Sequence, residues 1–234
     1  AGQEVELTKG RYGRYMESGD RRVRQEAFTA LYNTYGKFKN TLASTLASSV
    51  KRDIFYARAR KYPSALEAAL DQDNISPEVY EQLIDTVHHK LDYMYRYMKL
   101  RKKMLSLEEM HMYDLYTPLV SDYRVQVPYQ QAQEKVLAGL KPLGKEYLTL
   151  LKEGMESGWI DVYENEGKTS GAYSWGTFDT HPYVLMNYDN KLDDVFTLAH
   201  ELGHSLHSYY SNKNQPFIYS QYTIFLAEVA STVN

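Results

Sequence analysis

The segment FTLAHELGHSLHSYY, residues 196–210, constrains the fold more than any other stretch of this 234-residue chain. Leucines recur in it every four residues, at Leu198, Leu202 and Leu206. That period predicts an α-helix with one apolar face that packs into a core. On such a helix His200 and His204 share a face and lie about 6 Å apart along the axis. The fold must therefore include a core helix that presents two neighbouring imidazoles.

The same segment contains the pattern H-E-x-x-H, because Glu201 directly follows the first histidine. Two imidazoles one helical turn apart can bind one zinc ion, and zinc peptidases use this arrangement. Glu201 can then reach a zinc-bound water molecule and act as its general base. A match of five residues also arises by chance, so the prediction of a zinc site depends on a third ligand.

The chain after His204 decides which third ligand is possible. In metzincins a third histidine stands ten residues after the first, with a glycine three residues before it. This chain has Tyr210 and His207 at those positions, which excludes that class. The other common solution is a glutamate on the next helix, and Glu228 is the only acidic residue downstream of His204.

Glu228 lies in the apolar run YTIFLAEVASTVN, residues 222–234, which is typical of a buried helix. An ionised carboxylate is costly to bury without a partner of opposite charge. An ion pair is the alternative to a metal, but residues 222–234 contain no lysine, arginine or histidine. We therefore predict one zinc ion per chain, held by His200, His204 and Glu228, with a fourth position left for water.

His207 is seven residues from His200 and therefore about 10 Å farther along the helix axis. That distance is too long for both imidazoles to bind one ion. We expect His207 to support the metal ligands from outside or to have a structural role. The other histidines lack ligand-like spacing and are interpreted as surface or packing residues: His88, His89, His111 and His181.

The rest of the chain predicts a mainly α-helical fold with a small β-sheet directly before the HExxH helix. Periodicity and capping signals predict helices over about 20–50, 76–103, 128–139 and 144–156, and a short one between a capping box at Ser106 and Pro118. Short aromatic and β-branched runs predict strands near 159–164, 171–174 and 182–188. We expect the chain to be a fragment of a longer protein and the central part of a single helical catalytic domain. Within it we predict a helical part, a small sheet and zinc-binding helices: 1–157, 158–190 and 191–234.

Composition limits the partners and the compartment. A net charge of −3 and a pI near 6.2 argue against nucleic acid or an anionic membrane as a partner. The chain has no cysteine, which excludes disulfides and thiolate metal sites and agrees with a cytoplasmic location. It has no membrane-length apolar run and no signal-peptide pattern. The sequence does not determine the oligomeric state.

Several segments together resemble the thimet-oligopeptidase-like zinc metallopeptidases, in particular the oligoendopeptidase F group. They extend along the whole chain and include ALYNTYGKFKNTLASTL, MHMYDLYTPLV, GWIDVYENEGKTSGAYSWGTF, FTLAHELGHSLHSYYS and YTIFLAEVAST. The resemblance implies a zincin-type helical body around a cleft that admits short unstructured peptides. It also implies that His200, His204 and Glu228 bind zinc and that Glu201 is the general base.

The resemblance carries two further expectations. It places SGAYS, with Ala172, Tyr173 and Ser174, near the sheet edge that binds the peptide substrate. Full-length members have additional helical segments before and after the part that this chain matches. Histidine and tyrosine donors that stabilise the oxyanion are therefore expected beyond Asn234.

The predicted function is that of a zinc-dependent endopeptidase that hydrolyses short oligopeptides with a metal-bound water as nucleophile. One alternative is a zinc-stabilised helical module that binds peptides without turnover. Glu201 argues against it, because a structural zinc site needs no base and is closed by four protein ligands. A helical scaffold with an accidental HELGH is the other alternative, and the single carboxylate Glu228 in an apolar run argues against that.

Overall fold

A computed structural model describes residues 5–120 and 125–234 of the chain. It confirms the predicted fold class, since most residues are helical and one small three-stranded sheet is present. The chain divides into two compact units, Ala1–Tyr123 and Arg124–Asn234. In the part of the chain that is described, no helix is both long and apolar enough to cross a membrane. The grouping of all residues into a single catalytic domain stays a prediction.

The described part of the first unit is helical. Its α-helices are α1 Lys9–Met16, α2 Arg21–Lys37, α3 Lys39–Ala59, α4 Ala65–Leu70 and α5 Pro77–Met104, and 3₁₀ turns cover Asp71–Asp73 and Met112–Asp114. The start of α5 agrees with the sequence prediction, because Pro77 occupies its first turn directly after Ser76. Asp20 caps α2 by accepting a hydrogen bond from the backbone N–H of Arg22.

The prediction of one continuous helix over 20–50 is wrong. Phe38 interrupts it with φ −104° and ψ 12°, and the second helix then continues to Ala59. Gly36 stands just before the interruption, where its low helix propensity favours an end. Phe38, Leu42 and Leu46 belong to the predicted apolar stripe, yet they are exposed in the described structure.

The short helix predicted to begin at Ser106 is also absent. Ser106 has a positive φ of 52°, which is incompatible with an N-cap in extended conformation. A 3₁₀ turn, Met112–Asp114, stands in this region instead, and Asp114 closes it by accepting a hydrogen bond from the backbone N–H of His111.

Asp114 is a buried acidic residue that connects several segments of the first unit. Its fully buried carboxylate accepts hydrogen bonds from Arg21 at 3.1 and 3.2 Å, from Arg24 at 2.8 Å and from the N–H of His111 at 2.9 Å. Burial acts to raise the pKa of Asp114, but the bonds from both arginines and His111 outweigh it, so the pKa lies below its usual value. The ionised carboxylate therefore links α2 to the turn.

Replacing Asp114 with Asn should destabilise the first unit by roughly 3–5 kcal/mol, because the buried Arg24 would lose its anionic partner. A depressed pKa contributes stability above the unfolded-state pKa, and this contribution is lost as the pH falls through the folded-state pKa. The wild type should therefore lose stability in acid more steeply than the variant. Urea unfolding followed by circular dichroism between pH 7 and pH 3 measures both effects.

Asp53→Asn is the matched control, since Asp53 forms an exposed ion pair with Arg52. It should change the free energy of unfolding by less than about 1 kcal/mol. Equal effects of the two substitutions would contradict a structural role for Asp114.

In its described residues the second unit has two α-helices, then three short strands, then two further α-helices. Its elements are α6 Tyr129–Gly139, α7 Lys145–Glu156, β1 Ile160–Asp161, β2 Tyr173–Trp175, β3 Tyr183–Leu185, α8 Leu192–Asn214 and α9 Ile224–Val233, with 3₁₀ turns at Lys141–Leu143 and Phe217–Tyr219. All three predicted strands are present, each shorter than predicted. The helices predicted at 128–139 and 144–156 agree with α6 and α7 to within one residue.

The sheet has the strand order β1-β3-β2. β1 runs parallel to β3, with Ile160 opposite Val184, and β2 runs antiparallel to β3, with Ser174 opposite Val184. Val184 is buried against the core. β2 is therefore an edge strand, and within the described residues its outer side pairs with no other strand.

The leucine face of α8 lies at the centre of the core of this unit, as its period predicts. Leu198, Leu202 and Leu206 are almost completely buried and pack with Trp159 and Met186, among others. The carboxylate of Asp194 fixes the start of α8, because it accepts hydrogen bonds from the backbone N–H groups of Asp189 and Lys191. α8 is thus held rigidly against the sheet, with its histidine face directed away from the leucines.

Candidate metal centre

α8 brings His200 and His204 together as their spacing predicts. Their Nε2 atoms lie 3.2 Å apart, and the ring planes are nearly perpendicular. The two side chains are 40% and 15% exposed, so His204 lies deeper than His200. Both rings direct the same nitrogen toward one point in the solvent-accessible pocket beside α8.

Glu228 reaches this point from α9. Its Oε2 lies 3.2 Å from Nε2 of His200 and 3.5 Å from Nε2 of His204. Ligand atoms bound at about 2 Å to a tetrahedral zinc ion lie about 3.3 Å from one another. The three atoms therefore have the spacing of three corners of a zinc tetrahedron. Among the described residues they form the one cluster of three side chains suited to hold a metal ion.

The surroundings of Glu228 differ from the sequence prediction. Its side chain is 64% exposed, and the prediction that residues 222–234 form a buried helix is wrong for the described structure. The apolar side chains of α9 are largely exposed, and only Ser231 is buried: Ile224, Phe225, Leu226, Val229 and Val233 are all exposed. Apolar residues on every side of a helix do not reveal which side is packed, which is why the sequence did not predict this.

Glu201 lies on the same helix but is buried, in contrast to Glu228. One of its carboxylate oxygens, Oε2, has no hydrogen-bond partner among the described residues. The pKa of Glu201 lies above its usual value, mainly because burial disfavours the charged carboxylate. The nearby Glu228 raises this pKa further, and His200 and the backbone N–H of Ser174 lower it by less than the total increase. A buried carboxylate with a raised pKa and a free oxygen is suited to accept a proton.

His204 is held in its neutral form. The pKa of His204 lies below its usual value, mainly because burial disfavours the charged imidazolium. His200 also lowers this pKa, while the Glu228 carboxylate and the backbone of Ala227 raise it by less than the total decrease. Neutral imidazole is the form that binds a metal ion.

The predicted substrate residues Ala172, Tyr173 and Ser174 line the same pocket as the two histidines and Glu228. A hydrogen bond joins this end of β2 to α8. The hydroxyls of Ser174 and Ser205 lie 2.9 Å apart, and the Ser205 hydroxyl donates to the carbonyl of Glu201 at 2.9 Å. The edge strand therefore borders the three candidate ligands.

His207 does not approach the three ligand atoms as a fourth member of the cluster. Its ring stacks on Tyr222, with centroids 3.7 Å apart, and the Tyr222 hydroxyl lies 2.9 Å from the Ser208 hydroxyl. Burial, and to a lesser extent His204, lower the pKa of His207, so the stacked ring is neutral. His207 thus packs against the segment that connects α8 to α9. Whether it supports the metal ligands stays a prediction.

Gly203 allows α8 and α9 to approach each other closely. A Cβ atom at this position would lie 2.6 Å from Cα of Ser231 and 2.8 Å from the carbonyl oxygen of Ala230. Both are backbone atoms of α9, so no side-chain rotation could relieve the clash. No prediction from the sequence included Gly203, Tyr222 or Ser231. Only Ser231 had a usable signal, since a residue three positions after Glu228 shares its helix face.

Comparison with known proteins gives a consistent result. The model of peptidase family M3 matches residues 14–234. Oligopeptidase PepF from Bacillus subtilis (strain 168) is 54% identical over 233 residues, which cover 100% of this chain and 35% of that protein. The chain therefore spans about a third of the length of this curated relative.

Solved structures agree with the sequence match. A protein from Chlamydophila abortus superposes with a TM-score of 0.81 at 42% identity, covering 99% of this chain and 39% of that one. Oligoendopeptidase-F from Enterococcus faecium superposes with a TM-score of 0.63 at 39% identity, covering 97% of this chain and 33% of that one.

Replacing Gly203 with Ala should weaken zinc binding at least about 10-fold and destabilise the second unit by roughly 1–3 kcal/mol. The added methyl group would displace α9 and with it the Glu228 carboxylate. Zinc affinity by chelator competition and thermal unfolding of the metal-free chain measure the two effects. In the control Gly139→Ala no atom stands within 4 Å of the new methyl, so neither quantity should fall. Unchanged zinc affinity in Gly203→Ala would contradict the role of the helix contact.

Proposed function

The chain belongs to peptidase family M3, and on that basis we propose that it forms the zinc-binding catalytic part of a metalloendopeptidase that hydrolyses short oligopeptides. The observation that carries the proposal is the convergence of His200, His204 and Glu228 with mutual distances of 3.2 to 3.5 Å. Oligopeptidase PepF and oligoendopeptidase-F are the similar proteins whose names indicate the substrate class.

The donor set fits a catalytic zinc ion better than a structural one. Two imidazoles and one carboxylate are three protein ligands, and a catalytic zinc site keeps its fourth position open, whereas a structural site is closed. A bound zinc ion lowers the pKa of a coordinated water toward about 7 and polarises a carbonyl group. His200, His204 and Glu228 would hold the ion between α8 and α9.

Glu201 is the proposed general base. It directly follows the ligand His200 on α8, and its buried Oε2 has no partner among the described residues. Ser174 of the sheet lines the same pocket as Glu201. In the proposed reaction Glu201 takes a proton from the attacking water and delivers it to the nitrogen of the leaving amine.

The edge strand β2 is the proposed binding site for the peptide backbone. An extended peptide can pair with an exposed sheet edge through main-chain hydrogen bonds, largely independently of its side chains. Tyr173 and Trp175 are exposed on this strand, and Ala172, Tyr173 and Ser174 line the pocket of the proposed zinc ligands. A peptide bound at this edge would pass directly beside Glu201.

A peptide-binding module that holds zinc without turnover is the alternative function. It would have the same three ligands, so the presence of zinc does not distinguish the two proposals. The buried and unpartnered oxygen of Glu201 favours the enzyme, since a binding module has no use for a base at that position.

We predict that the metal-stripped chain rebinds one zinc ion and that Glu228→Gln weakens this binding at least about 10-fold. Glu201→Gln should keep its zinc, because Glu201 is not a ligand, and should lose hydrolysis by about 10²- to 10⁴-fold. Zinc content after dialysis measures the first effect. Cleavage of a quenched fluorescent oligopeptide by the full-length natural protein measures the second.

Glu146→Gln serves as the control for charge removal in the same unit, since Glu146 lies in the first turn of α7 and outside the pocket. It should change neither zinc content nor hydrolysis. Absence of zinc from the wild-type chain would contradict the metal site, and full hydrolysis by Glu201→Gln would contradict the mechanism.

A further inference from the structure

Ser231 is the only buried residue of α9 in the described structure, and it contacts a proposed metal ligand. Its side chain is 3% exposed on a helix whose apolar side chains face solvent. The Ser231 hydroxyl lies 3.0 Å from Oε2 of Glu228 and 3.2 Å from the carbonyl oxygen of the same residue. The hydroxyl is therefore a donor directed at Glu228.

The oxygen that Ser231 contacts is the same one that faces both imidazoles. Oε2 of Glu228 lies 3.2 Å from His200 and 3.5 Å from His204. A carboxylate oxygen has two lone pairs, so it can accept a hydroxyl on one side and face a cation on the other. The contact with Ser231 thus selects which oxygen of Glu228 is presented to the metal position.

Nothing else in the described structure fixes the Glu228 side chain in this way. It is 64% exposed, and Ser231 supplies the one hydrogen bond that its carboxylate receives apart from the imidazole contacts. A long exposed glutamate otherwise samples several rotamers, and ordering it opposes metal binding. A donor placed three residues later on the same helix face restricts those rotamers before the metal arrives.

The position of Ser231 is fixed by the helix contact. Gly203 of α8 leaves room for Cα and the backbone nitrogen of Ser231, which stand 2.6 and 3.0 Å from where a Cβ of Gly203 would lie. At the end of α9, Asn234 donates to the carbonyl of Ala199 at 2.9 Å. Ser231 is therefore anchored to the helix that carries both histidines.

We propose that Ser231 is a positioning residue that orients the Glu228 carboxylate for zinc binding through this hydrogen bond. The inference rests on the proposed function, since it presumes that Glu228 is a zinc ligand. Ser231 acts through Glu228, so its removal should be visible in metal affinity without any measurement of hydrolysis. Outer partners of metal ligands typically contribute 10- to 100-fold to affinity.

The test is the zinc affinity of the chain, measured by competition with a chromophoric chelator. Ser231→Ala should bind zinc about 10-fold or more weakly than the wild type. Tyr147→Phe is the matched control: the Tyr147 hydroxyl donates to Asn234 at 2.7 Å, so the variant loses a hydroxyl that anchors α9 without touching Glu228. Its zinc affinity should stay within about 3-fold of the wild type.

Ser231→Thr and Ser231→Val test the hydroxyl directly, because both add similar bulk at this buried position and only the threonine keeps the donor. The threonine variant should bind zinc about 10-fold or more tightly than the valine variant. If circular dichroism shows that Ser231→Ala fails to fold, this pair decides: tighter zinc binding by the threonine variant supports the proposal, and equal affinities of the two variants overturn it.

The remaining outcomes separate this inference from the proposed function. Wild-type zinc binding with unchanged affinity in Ser231→Ala overturns the role of Ser231 and leaves the zinc site standing. Equal losses in Ser231→Ala and Tyr147→Phe overturn it as well, because helix docking alone would then explain the effect. A wild-type chain that binds no zinc overturns the proposed function and the inference with it.

Discussion

The close contact between α8 and α9 at Gly203 is the constraint on which the candidate site depends. His200 and His204 lie on the same face of α8 because they are one helical turn apart. The carboxylate of Glu228 comes from a second helix, so it approaches the two imidazoles only if α9 lies close to α8. Backbone atoms of α9 lie within 3 Å of the position that a Cβ atom at Gly203 would occupy. Because the two helices are this close, Oε2 of Glu228 lies within 3.5 Å of Nε2 of both His200 and His204. A larger residue at Gly203 would separate the helices by more than the tolerance of a metal site.

The sheet contributes to the site through a different type of contact. β2 does not supply a candidate ligand, but the hydroxyl of Ser174 forms a hydrogen bond with the hydroxyl of Ser205 on α8, and Ser174 lines the pocket together with Glu201. The strand that borders the pocket and the buried carboxylate are therefore held in register by α8 itself. This explains how strands of only two or three residues can occupy a defined position, since hydrogen bonds and the buried Val184 fix them rather than an extended ladder.

The hydrophobic period of the sequence predicted the features that depend on one helix alone. It predicted few of the features that depend on how α8 and α9 pack together. The spacing of His200 and His204, and the leucine face behind them, follow from 3.6 residues per turn. Glu228 could be chosen because no other acidic residue follows His204. Ser231 and Gly203 depend on where α9 crosses α8, and apolar residues on all sides of α9 do not indicate its packed face. The interruption at Phe38 and the positive φ of Ser106 are likewise backbone features that periodicity does not report.

The sparse anchoring of α9 has a consequence for metal binding. Its apolar residues contribute little burial in the described structure, so the close backbone approach of Ser231 to Gly203 and the hydrogen bond from Asn234 to Ala199 hold it against α8. Linkage is reciprocal: contacts that favour the docked helix raise the affinity for an ion bound by both helices, and the bound ion favours docking by the same free energy. In the proposed zinc site the ion is therefore also a structural link between α8 and α9. Ser231 takes part in both effects, because it is the buried residue of α9 and also donates a hydrogen bond to Glu228, the proposed ligand.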